Sequence, residues 1–515
     1  MTTQLYIRIC NFLRDKIKGT QWEGHVFTVG GCCRDIALGR EINDIDLAVN
    51  LPNGGIEFAN WLHKMKLTTM RPVLFERYGT SMLKLKAFPH DAIEIVQTRA
   101  EKYTDRNSRN PETAFGSLHD DCMRRDLTIN ALYYDITARK LLDICGRSLT
   151  DIKNKIICTP SDPDATYDDD PIRILRTIRF AAKLGWEIPS TIFDAMCRNS
   201  HRLNIIKPER LRSEFEKILL SEKPGNALDR LRACGAMDMI VPELNGLFGL
   251  KPDNKSSQTA WELTLRTVER VKSTPALRWA ALLADIAMPH CKPEINGNFT
   301  SFPGHARKSR HLIIQALIRL KYHQPLLKDV LFLTANHEAT SSWGKLSEHM
   351  SDSSLRRLQY ISGRPEKLDA LLSLIDAKNK ALPPQTAMPE QVKYIRSRIQ
   401  EMIDEGSAMF SYHLPFAERR IKKLLHIEPG PLVEDCLEYM MTLAFENPKR
   451  SKQEFEHLVS QYHPCEQNIK GKHLIAEELR PSCKKRQKTN KSVQNSSRHN
   501  HNRRRRNHNK KMSNS

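Results

Sequence analysis

Residues 27–46 constrain the fold of this chain most strongly, because they place two glycines and an arginine between two short apolar runs. Residues 26–29 are apolar and rich in β-branched side chains, which predicts a buried strand. Gly30 and Gly31 then remove two side chains, so backbone N–H groups can come close to a ligand. Arg34 follows where a helix is predicted to begin, and glycines at a strand-to-helix turn beside an arginine are typical of a polyphosphate cradle.

A second predicted strand, residues 44–49, carries two acids. Because side chains alternate along a strand, Asp44 and Asp46 point the same way. Two neighbouring carboxylates repel each other unless a cation lies between them, and hard divalent ions such as Mg²⁺ take carboxylate and phosphate oxygens. A lone Asp-x-Asp is more often a solvated strand edge. Together with the glycines and Arg34, however, the pair predicts a phosphate loop facing a metal site, as nucleotidyl transfer requires.

Glu94 is the candidate for a third carboxylate. Residues 81–88 alternate apolar and polar side chains, and residues 91–96 predict the neighbouring strand with Glu94 on it. Three acids that hold two Mg²⁺ ions would suit in-line displacement at an α-phosphate. Two alternatives stay open: Glu94 is an ordinary surface residue of this strand, or Asp91 takes its place.

Arg124, Arg125 and Asp126 form a second charged group, after a polar segment (residues 103–117) that we expect to be a mobile loop near the site. Adjacent arginines followed by an acid are costly to bury unless they are paired. Arginine clamps phosphate, and aspartate accepts a hydrogen bond from a ribose hydroxyl. A surface charge cluster would explain the same residues, but the apolar run at residues 129–134 predicts that the group is anchored against a core.

Residues 169–179 are predicted to open a helix, with Asp169 and Asp170 at its start and a proline in its first turn. Three arginines then recur every three residues: Arg173, Arg176 and Arg179. Each step drifts by only ~60° around a helix of 3.6 residues per turn, so the arginines line one broad flank. A solvated basic face is the usual explanation, whereas the acidic pair just before them favours a nucleotide pocket.

Three stretches, GGCCRD followed by DID, RRDLTINAL, and DDPIRILRTIRFAAKLG, resemble the bacterial class II CCA-adding tRNA nucleotidyltransferases and their close relatives, the bacterial poly(A) polymerases. The resemblance covers about residues 26–250. It implies an α+β fold with a polymerase-β-like nucleotidyltransferase head at residues 1–150. An all-helical neck (151–250), body (251–390) and tail (391–465) would follow, and then a disordered basic tail (466–515).

The resemblance also implies roles for single residues. Asp44 and Asp46 would bind Mg²⁺ and, with Glu94, would be catalytic. Nucleotide contacts would come from Gly30, Gly31, Arg34, Arg124, Arg125, Asp126, Asp169, Asp170, Arg173, Arg176 and Arg179. Among them Gly31 and Arg34 would contact the triphosphate, and Asp126 would favour a ribose. Cys33 and Leu127 depart from the family pattern, but both are packing positions, so catalysis is not put in doubt.

Base selection follows from a template of Asp169, Asp170 and Arg173 that the family carries on this helix. Cytosine and adenine each present an amino donor beside a ring-nitrogen acceptor, so an aspartate accepts from the amine while an arginine donates to the ring nitrogen. Uracil and guanine present a carbonyl in place of that amine. An unpaired buried carboxylate would then disfavour them, by up to ~10⁴-fold. The template therefore predicts that CTP and ATP are accepted and that UTP and GTP are refused.

Residues 258–380 resemble the metal-dependent HD phosphohydrolase domain that some of these enzymes carry. Leu263 and Ala284 stand where two of its ligating histidines would fall, whereas His305 is kept. Leucine and alanine cannot replace imidazole as metal ligands. We therefore expect a catalytically dead body that faces RNA or is structural; the alternative is a rearranged site that uses His290 and His305.

The formal net charge is +21, and residues 481–515 contribute twelve of the basic side chains and no acidic one. Such a tail is predicted to be disordered and to bind a polyanion, here RNA. A purely solubilising tail is the alternative. The first 19 residues predict an amphipathic helix and not a signal peptide, and the 12 cysteines are scattered. We therefore expect reduced thiols, a cytoplasmic location and no membrane association.

These inferences together predict an Mg²⁺-dependent enzyme that adds C, C and A to tRNA 3′ ends from CTP and ATP, without a nucleic-acid template. A poly(A) polymerase, or an enzyme that adds only part of CCA, has nearly the same head motifs and remains an alternative. An RNA-binding protein without catalysis is a third possibility, although Arg34, Asp44 and Asp46 would then have no obvious structural use.

Overall fold

The computed structural model describes residues 2–42, 44–76, 79–102, 111–252, 258–296, 299–340, 350–383, 388–415, 418–426 and 430–462. The predicted basic tail and most of the predicted loop at residues 103–117 lie outside these ranges. The chain divides into two compact units, one of residues 1–348 with 369–394 and the other of residues 349–368 with 395–515. The predicted boundaries between head, neck, body and tail stay a prediction.

The first unit begins with a mixed sheet and its covering helices. In chain order these elements are α1 (Thr3–Ile17), β1 (Val26–Val29), α2 (Gly31–Ala37), β2 (Ile45–Val49), α3 (Gly54–Lys64), β3 (Val73–Phe75), β4 (Thr80–Leu85), β5 (Phe88–Gln97), β6 (Arg99–Lys102), β7 (Glu112–Phe115), α4 (Leu118–Met123), β8 (Leu132–Asp135) and β9 (Lys140–Asp143). Seven strands of the described ranges form one sheet in the order β3-β4-β5-β2-β1-β8-β9. The β2–β5 pair is parallel and the other neighbours are antiparallel.

The hydrophobic pattern of the chain explains how this sheet is covered. All four residues of β1 are buried, as its run of apolar and β-branched side chains predicts. The predicted amphipathic helix is α1, and its Ile9, Leu13 and Ile17 side chains are completely buried. They share one core with Trp22 and with Phe58 of α3. Strand β1 thereby fixes the position of the glycine turn that follows it.

Helices continue the first unit. They are α5 (Ser148–Asn154), α6 (Pro163–Asp169), α7 (Ile172–Leu184), α8 (Ser190–Asn199), α9 (Pro208–Leu219), α10 (Pro224–Ala233), α11 (Ala236–Ile240), α12 (Ala260–Arg270), α13 (Pro275–Leu283), α14 (His305–Arg319) and α15 (Gln324–Asn336). A short antiparallel pair, β10 (Glu294–Asn296) and β11 (Phe299–Ser301), lies in the predicted body. A sheet-containing head followed by helices confirms the α+β prediction.

The second unit is helical where it is described. It contains α16 (Asp352–Ser362), α19 (Glu418–Leu425), α20 (Pro431–Glu446) and α21 (Lys452–Ser460), while α17 (Pro365–Ala381) and α18 (Pro389–Asp404) are divided between the units. Ile421, Met440 and Phe455 belong to its core. The buried Arg356 donates to the carbonyl oxygens of Phe445 (2.8 Å) and Glu446 (3.1 Å). Helix α16 is thereby fastened to the end of α20.

No helix among the described residues is long and apolar enough to cross a bilayer.

Replacing Gly55 by alanine should destabilise the first unit by about 1–3 kcal/mol through overpacking. A Cβ atom at Gly55 would lie 2.2 Å from the carbonyl oxygen of Gly79 and 2.8 Å from the amide nitrogen of Gln97. Gly249→Ala is the matched control, because no atom lies within 4 Å of its added methyl group. Urea unfolding of both variants measures the difference, and equal midpoints would contradict this packing of α3 on the sheet.

Candidate active site

Asp44, Asp46 and Glu94 gather at one edge of the parallel strand pair. Asp46 on β2 and Glu94 on β5 are direct register partners. Asp44 lies just before β2, two residues from Asp46, and its charge acts on the Asp46 carboxylate. Burial together with the charges of Glu94 and Asp44 raises the pKa of Asp46 to about 6, although the positive charge of Arg125 opposes the rise. Such crowded carboxylate oxygens are a donor set that fits a hard divalent cation.

The glycine turn after β1 lies against these acids. Gly30 has φ +78, in the region that favours glycine. A Cβ atom at Gly30 would lie 3.4 Å from Nη1 of Arg125 and 4.0 Å from Oδ2 of Asp46. The turn therefore favours a glycine for its backbone conformation, and its backbone lies in close reach of Asp46. Gly31, also predicted here, begins α2.

Arg124 and Arg125 are held in place by a buried acid, Asp121 of α4. Its carboxylate accepts hydrogen bonds from Nη2 of Arg124 (2.5 Å), Nη2 of Arg125 (2.8 Å) and the hydroxyl of Tyr133 (2.6 Å). Glu101 accepts a further bond from Nη1 of Arg124 at 3.0 Å. These pairs confirm that the two arginines are anchored against a core.

Asp121 and Glu101 were not predicted as parts of this group. The spacing of Asp121 to Arg124 and Arg125 is i,i+3 and i,i+4, which brings side chains together on a helical turn, so this pairing was open to prediction. Glu101 lies 23 residues before Arg124, on another strand, and no local spacing relates the two.

An open cleft of about 410 Å³ connects the carboxylates with the arginine group. Its walls are Phe75, Thr80, Glu94, Val96, Arg99 and Arg124. A cleft of this size falls in the range that small-molecule ligands occupy. It presents an acid and two basic side chains to the same space, as a nucleotide with a metal-bound phosphate chain requires.

Arg34 lies in a buried network and not in open solvent. Its guanidinium donates to Asp35 (2.9 and 3.0 Å) and to Oδ1 of Asn130 (2.6 Å), and it lies 5.0 Å above the ring of Phe180. Asn130 in turn donates to Oδ1 of Asp126 at 3.1 Å. The predicted triphosphate contact of Arg34 therefore stays a prediction, while its link to Asp126 is an observation.

Asp126 connects the sheet to helix α7. Its Oδ2 accepts from Nε of Arg176 at 2.7 Å, and its Oδ1 accepts from the backbone N–H of Leu127. Although burial opposes the effect, the positive charge of Arg176 and the bond from Asn130 hold the pKa of Asp126 below its ordinary value. Asp126 is therefore an ionised acceptor at neutral pH.

Three further residues that were predicted to contact the nucleotide have separate partners. Arg173 is buried and donates to the carbonyl oxygens of Thr166 (3.1 Å) and Arg124 (2.7 Å), so it sits beside the arginine group of the head. Asp170 accepts from Nη2 of Arg210 at 3.0 Å, and Arg179 donates to Glu214 at 2.8 Å.

The start of the base-reading helix differs from the prediction. Helix α7 begins at Ile172, and Asp169 is the last residue of the preceding helix α6. Pro163 at the first turn of α6 and Asp162 as its cap start that helix early, and Asp170 then adopts an extended backbone between the two helices. Asp169 and Asp170 are thus presented from an interhelical turn. Burial raises the pKa of Asp169, and Arg173 partly offsets the rise.

A different group of metal-ligating side chains lies among the helices. Within the described ranges, the one group whose three ligand atoms lie within 4.8 Å of one another is Asp285, His305 and His337. His305 was predicted to be kept, whereas His290 is exposed and outside the group. His337 was missed because it lies 32 residues beyond His305 with no recognisable spacing.

Two regions of the chain match known families. Residues 26–158 match the family described as the poly A polymerase head domain. Residues 185–247 match the family described as the probable RNA and SrmB-binding site of polymerase A. The first match contains the glycine turn, the carboxylates and the arginine group, and the second contains Arg210 and Glu214.

Curated relatives are similar over about half of the chain. The mitochondrial CCA tRNA nucleotidyltransferase of Candida glabrata is 32% identical over 248 residues, which are 43% of this chain and 45% of the relative. The CCA-adding enzyme of Lactococcus lactis subsp. lactis is 31% identical over 261 residues, 50% of this chain and 60% of the relative. The chain thus spans only about half the length of the curated relatives it matches.

Solved structures are similar over most of the chain. An apo form of a CCA-adding enzyme has a TM-score of 0.57 at 20% identity, covering 90% of this chain and 97% of that one. The Bacillus stearothermophilus CCA-adding enzyme in complex with CTP has a TM-score of 0.56 at 18% identity, covering 90% and 98%. The Thermotoga maritima enzyme complexed with tRNA gives 0.53 at 19%, covering 89% and 95%. Because the identities are only 18–20%, this similarity shows that the chain shares the fold of these enzymes and nothing beyond the fold.

Asp46→Asn should change how stability depends on pH in the metal-free protein. The folded protein holds the pKa of Asp46 at about 6, above its value in an unfolded chain, ~3.9. Protonated Asp46 therefore contributes to the stability of the folded protein. This contribution is fully present below pH ~4 and is lost as the pH rises through about 6. Because asparagine does not ionise, the unfolding free energy of the variant relative to the natural protein should rise by ~1–2 kcal/mol between pH 4 and pH 8, after allowance for partial exposure.

The control for this measurement is Asp91→Asn on the same strand as Glu94, which should show no such difference. Urea unfolding across pH 4–8 in EDTA measures both variants. Parallel curves for Asp46→Asn and the natural protein would contradict the crowding of these carboxylates.

Proposed function

We propose that this chain belongs to the family of CCA-adding enzymes and poly A polymerases and adds CCA to the 3′ ends of tRNA from CTP and ATP, without a nucleic-acid template. The match to the poly A polymerase head domain and the similarity to curated CCA-adding enzymes support this proposal. One juxtaposition supports the proposal most directly. Asp46 and Glu94 are partners on adjacent strands, and Gly30 and Arg125 lie against Asp46. Nucleotidyl transfer needs this combination of acids, an open backbone turn and a fixed positive charge.

Enzymes of this nucleotidyltransferase family use a divalent metal ion. We infer that the ion is Mg²⁺ and that Asp44 and Asp46, with Glu94, would hold it, because Asp46 and Glu94 are register partners and Asp44 lies two residues from Asp46, which brings three carboxylates together. When bound, such ions lower the pKa of an attacking hydroxyl and stabilise a leaving phosphate.

The arginine group would receive the phosphates. Asp121 already fixes Arg124 and Arg125, so little side-chain entropy is lost when a triphosphate binds. Gly30 leaves room for the phosphate chain to approach the backbone, since it has no side chain to displace. Asp126, ionised and held by Arg176, is suited to accept a hydrogen bond from a ribose hydroxyl.

Base choice would depend on Arg173 and Asp170. Arg173 is fixed by two backbone carbonyls, one of them that of Arg124, so its position relative to the phosphate-binding arginines is set. Asp170 is held by Arg210 as an ionised acceptor. An acceptor and a donor in fixed positions would pair with the amino group and the ring nitrogen of cytosine or adenine, and would reject the carbonyl of uracil or guanine.

The RNA partner would be recognised by its shape and backbone, as is usual for double-stranded RNA. The match of residues 185–247 to an RNA-binding region supports this, as do the tRNA-bound structure of a relative and the excess of basic residues. We also propose a reducing, cytoplasmic location, because the described cysteines are free thiols.

Asp46→Asn should lower Mg²⁺-dependent nucleotide incorporation by at least ~10³-fold, because a metal-binding carboxylate is lost. Asp91→Asn, on the same strand as Glu94 but outside its register pair with Asp46, is the matched control and should keep activity. Incorporation of labelled ATP into a tRNA ending in CC measures both, with circular dichroism as the check on folding. Full activity in folded Asp46→Asn would refute the proposed metal site.

Asp170→Ala should relax base choice more than it weakens triphosphate binding. The lost carboxylate no longer meets the carbonyl of UTP or GTP, so discrimination against them should fall by ~10–100-fold, while KM for CTP changes little. Asp164→Ala, on α6 and paired with Arg198 at the surface, is the control. Ratios of kcat/KM for the four nucleotides measure the effect, and unchanged ratios in Asp170→Ala would rule the template out.

A further inference from the structure

We propose that Asp285, His305 and His337 form a Zn²⁺ site in the helical body, separate from the carboxylates of the head. Three helices supply them: Asp285 lies just after α13, His305 is the first residue of α14, and His337 lies just after α15. The two histidine side chains are 1% and 0% exposed, and that of Asp285 is 12% exposed. Side chains this polar are rarely brought together in a core without a partner.

The spacing of the ligand atoms fits a tetrahedral ion. The Nε2 atoms of His305 and His337 are 3.2 Å apart, and each lies 3.3 Å from Oδ1 of Asp285. A tetrahedral Zn²⁺ with bonds of ~2.0–2.1 Å separates neighbouring ligand atoms by about 3.3 Å. The three atoms therefore already form one face of such a tetrahedron.

The backbone fixes the tautomer that a metal needs. Nδ1 of His305 lies 2.8 Å from the carbonyl oxygen of Phe302, and Nδ1 of His337 lies 2.6 Å from that of Thr334. A carbonyl oxygen only accepts, so both Nδ1 atoms carry a proton, and in the neutral ring each Nε2 atom then has a lone pair available to a metal ion. A backbone bond of this kind on the far nitrogen is the usual support of a ligating histidine. With neutral rings, the two Nε2 lone pairs and the Asp285 carboxylate form a donor set that suits a metal cation.

Lys378 supplies a competing positive charge. Its Nζ lies 2.6 Å from the same Oδ1 of Asp285. In the metal-free protein the ammonium partly compensates the carboxylate. A bound Zn²⁺ would share that oxygen with the ammonium and be repelled by it, so removing the charge of Lys378 should tighten metal binding.

The donor set also distinguishes this site from the head. Imidazole nitrogens favour transition metals, whereas the all-carboxylate head favours Mg²⁺. The set also differs from the HD pattern, since Leu263 and Ala284 cannot ligate. With three protein ligands, one coordination position stays open for water.

Metal titration of the full-length protein tests this site. After EDTA treatment and with Mg²⁺ in excess to occupy the head carboxylates, Co²⁺ should bind at one equivalent with visible absorption bands of a tetrahedral complex, and Zn²⁺ should displace it. His305→Ala and His337→Ala should weaken binding by at least 100-fold, whereas Lys378→Met should tighten it. His290→Ala and His311→Ala, exposed histidines of the same region, are the controls and should bind as the natural protein does.

The natural protein failing to bind one equivalent of Co²⁺ or Zn²⁺ would overturn the proposal, as would equal binding by the His305 and His337 variants. If an alanine variant misfolds by circular dichroism, His337→Gln, which keeps most of the volume, replaces it. Weaker binding in Lys378→Met would also contradict the shared oxygen. Nucleotide incorporation is measured separately, so failure here leaves the proposed function of the head untouched.

Discussion

Mutual repulsion of carboxylates at the edge of β2 and β5 is the constraint on which the rest of the head depends. The parallel pairing places Asp46 directly beside Glu94, and Asp44 adds a third charge. Burial makes the repulsion stronger, since water screens it less. Without a bound cation, protonation of Asp46 and the positive charge of Arg125 each reduce the repulsion between the carboxylates. We therefore propose that the pairing of β2 with β5 gives the head its affinity for a divalent ion.

Buried acidic side chains hold the arginines around the site in fixed positions. Asp121 holds Arg124 and Arg125, and Glu101 holds Arg124 from the other side. Such buried pairs add little net stability, but breaking one partner is costly, so they fix geometry. Asp126 likewise accepts hydrogen bonds from Asn130 and from Arg176. The bond with Arg176 joins this part of the head to helix α7. The groups of the head and of helix α7 that we propose to bind the nucleotide are thus positioned together.

Local patterns made much of this predictable. The apolar run before Gly30 gave strand β1, the alternation around Asp46 gave β2, and the amphipathic start of the chain gave α1. Roles for single residues came from the resemblance, because composition alone does not separate a metal-binding Asp-x-Asp from a solvated one. Glu94 was only a candidate for the third carboxylate. Its register with Asp46 could not be predicted, since the pairing of distant strands is set by the whole sheet.

Contacts between distant segments of the chain could not be predicted from the sequence. Helix α6 was not predicted, and its last residue, Asp169, was assigned to the start of α7. Glu101 has no local spacing to Arg124. The meeting of Asp285, His305 and His337 depends on how three helix ends converge, and no spacing in the sequence brings His337 to the other two. Degeneracy of the HD pattern even pointed away from a metal site there.

The most direct test of the central claim is the sequence of the product made on a tRNA that ends before CCA, given Mg²⁺, CTP and ATP together. The account predicts two cytidines, then one adenosine, then a stop. Long adenosine tracts would make the protein a poly(A) polymerase, and adenosine addition confined to a tRNA already ending in CC would make it a partial enzyme. Either result, or no incorporation by the folded protein, would contradict CCA addition.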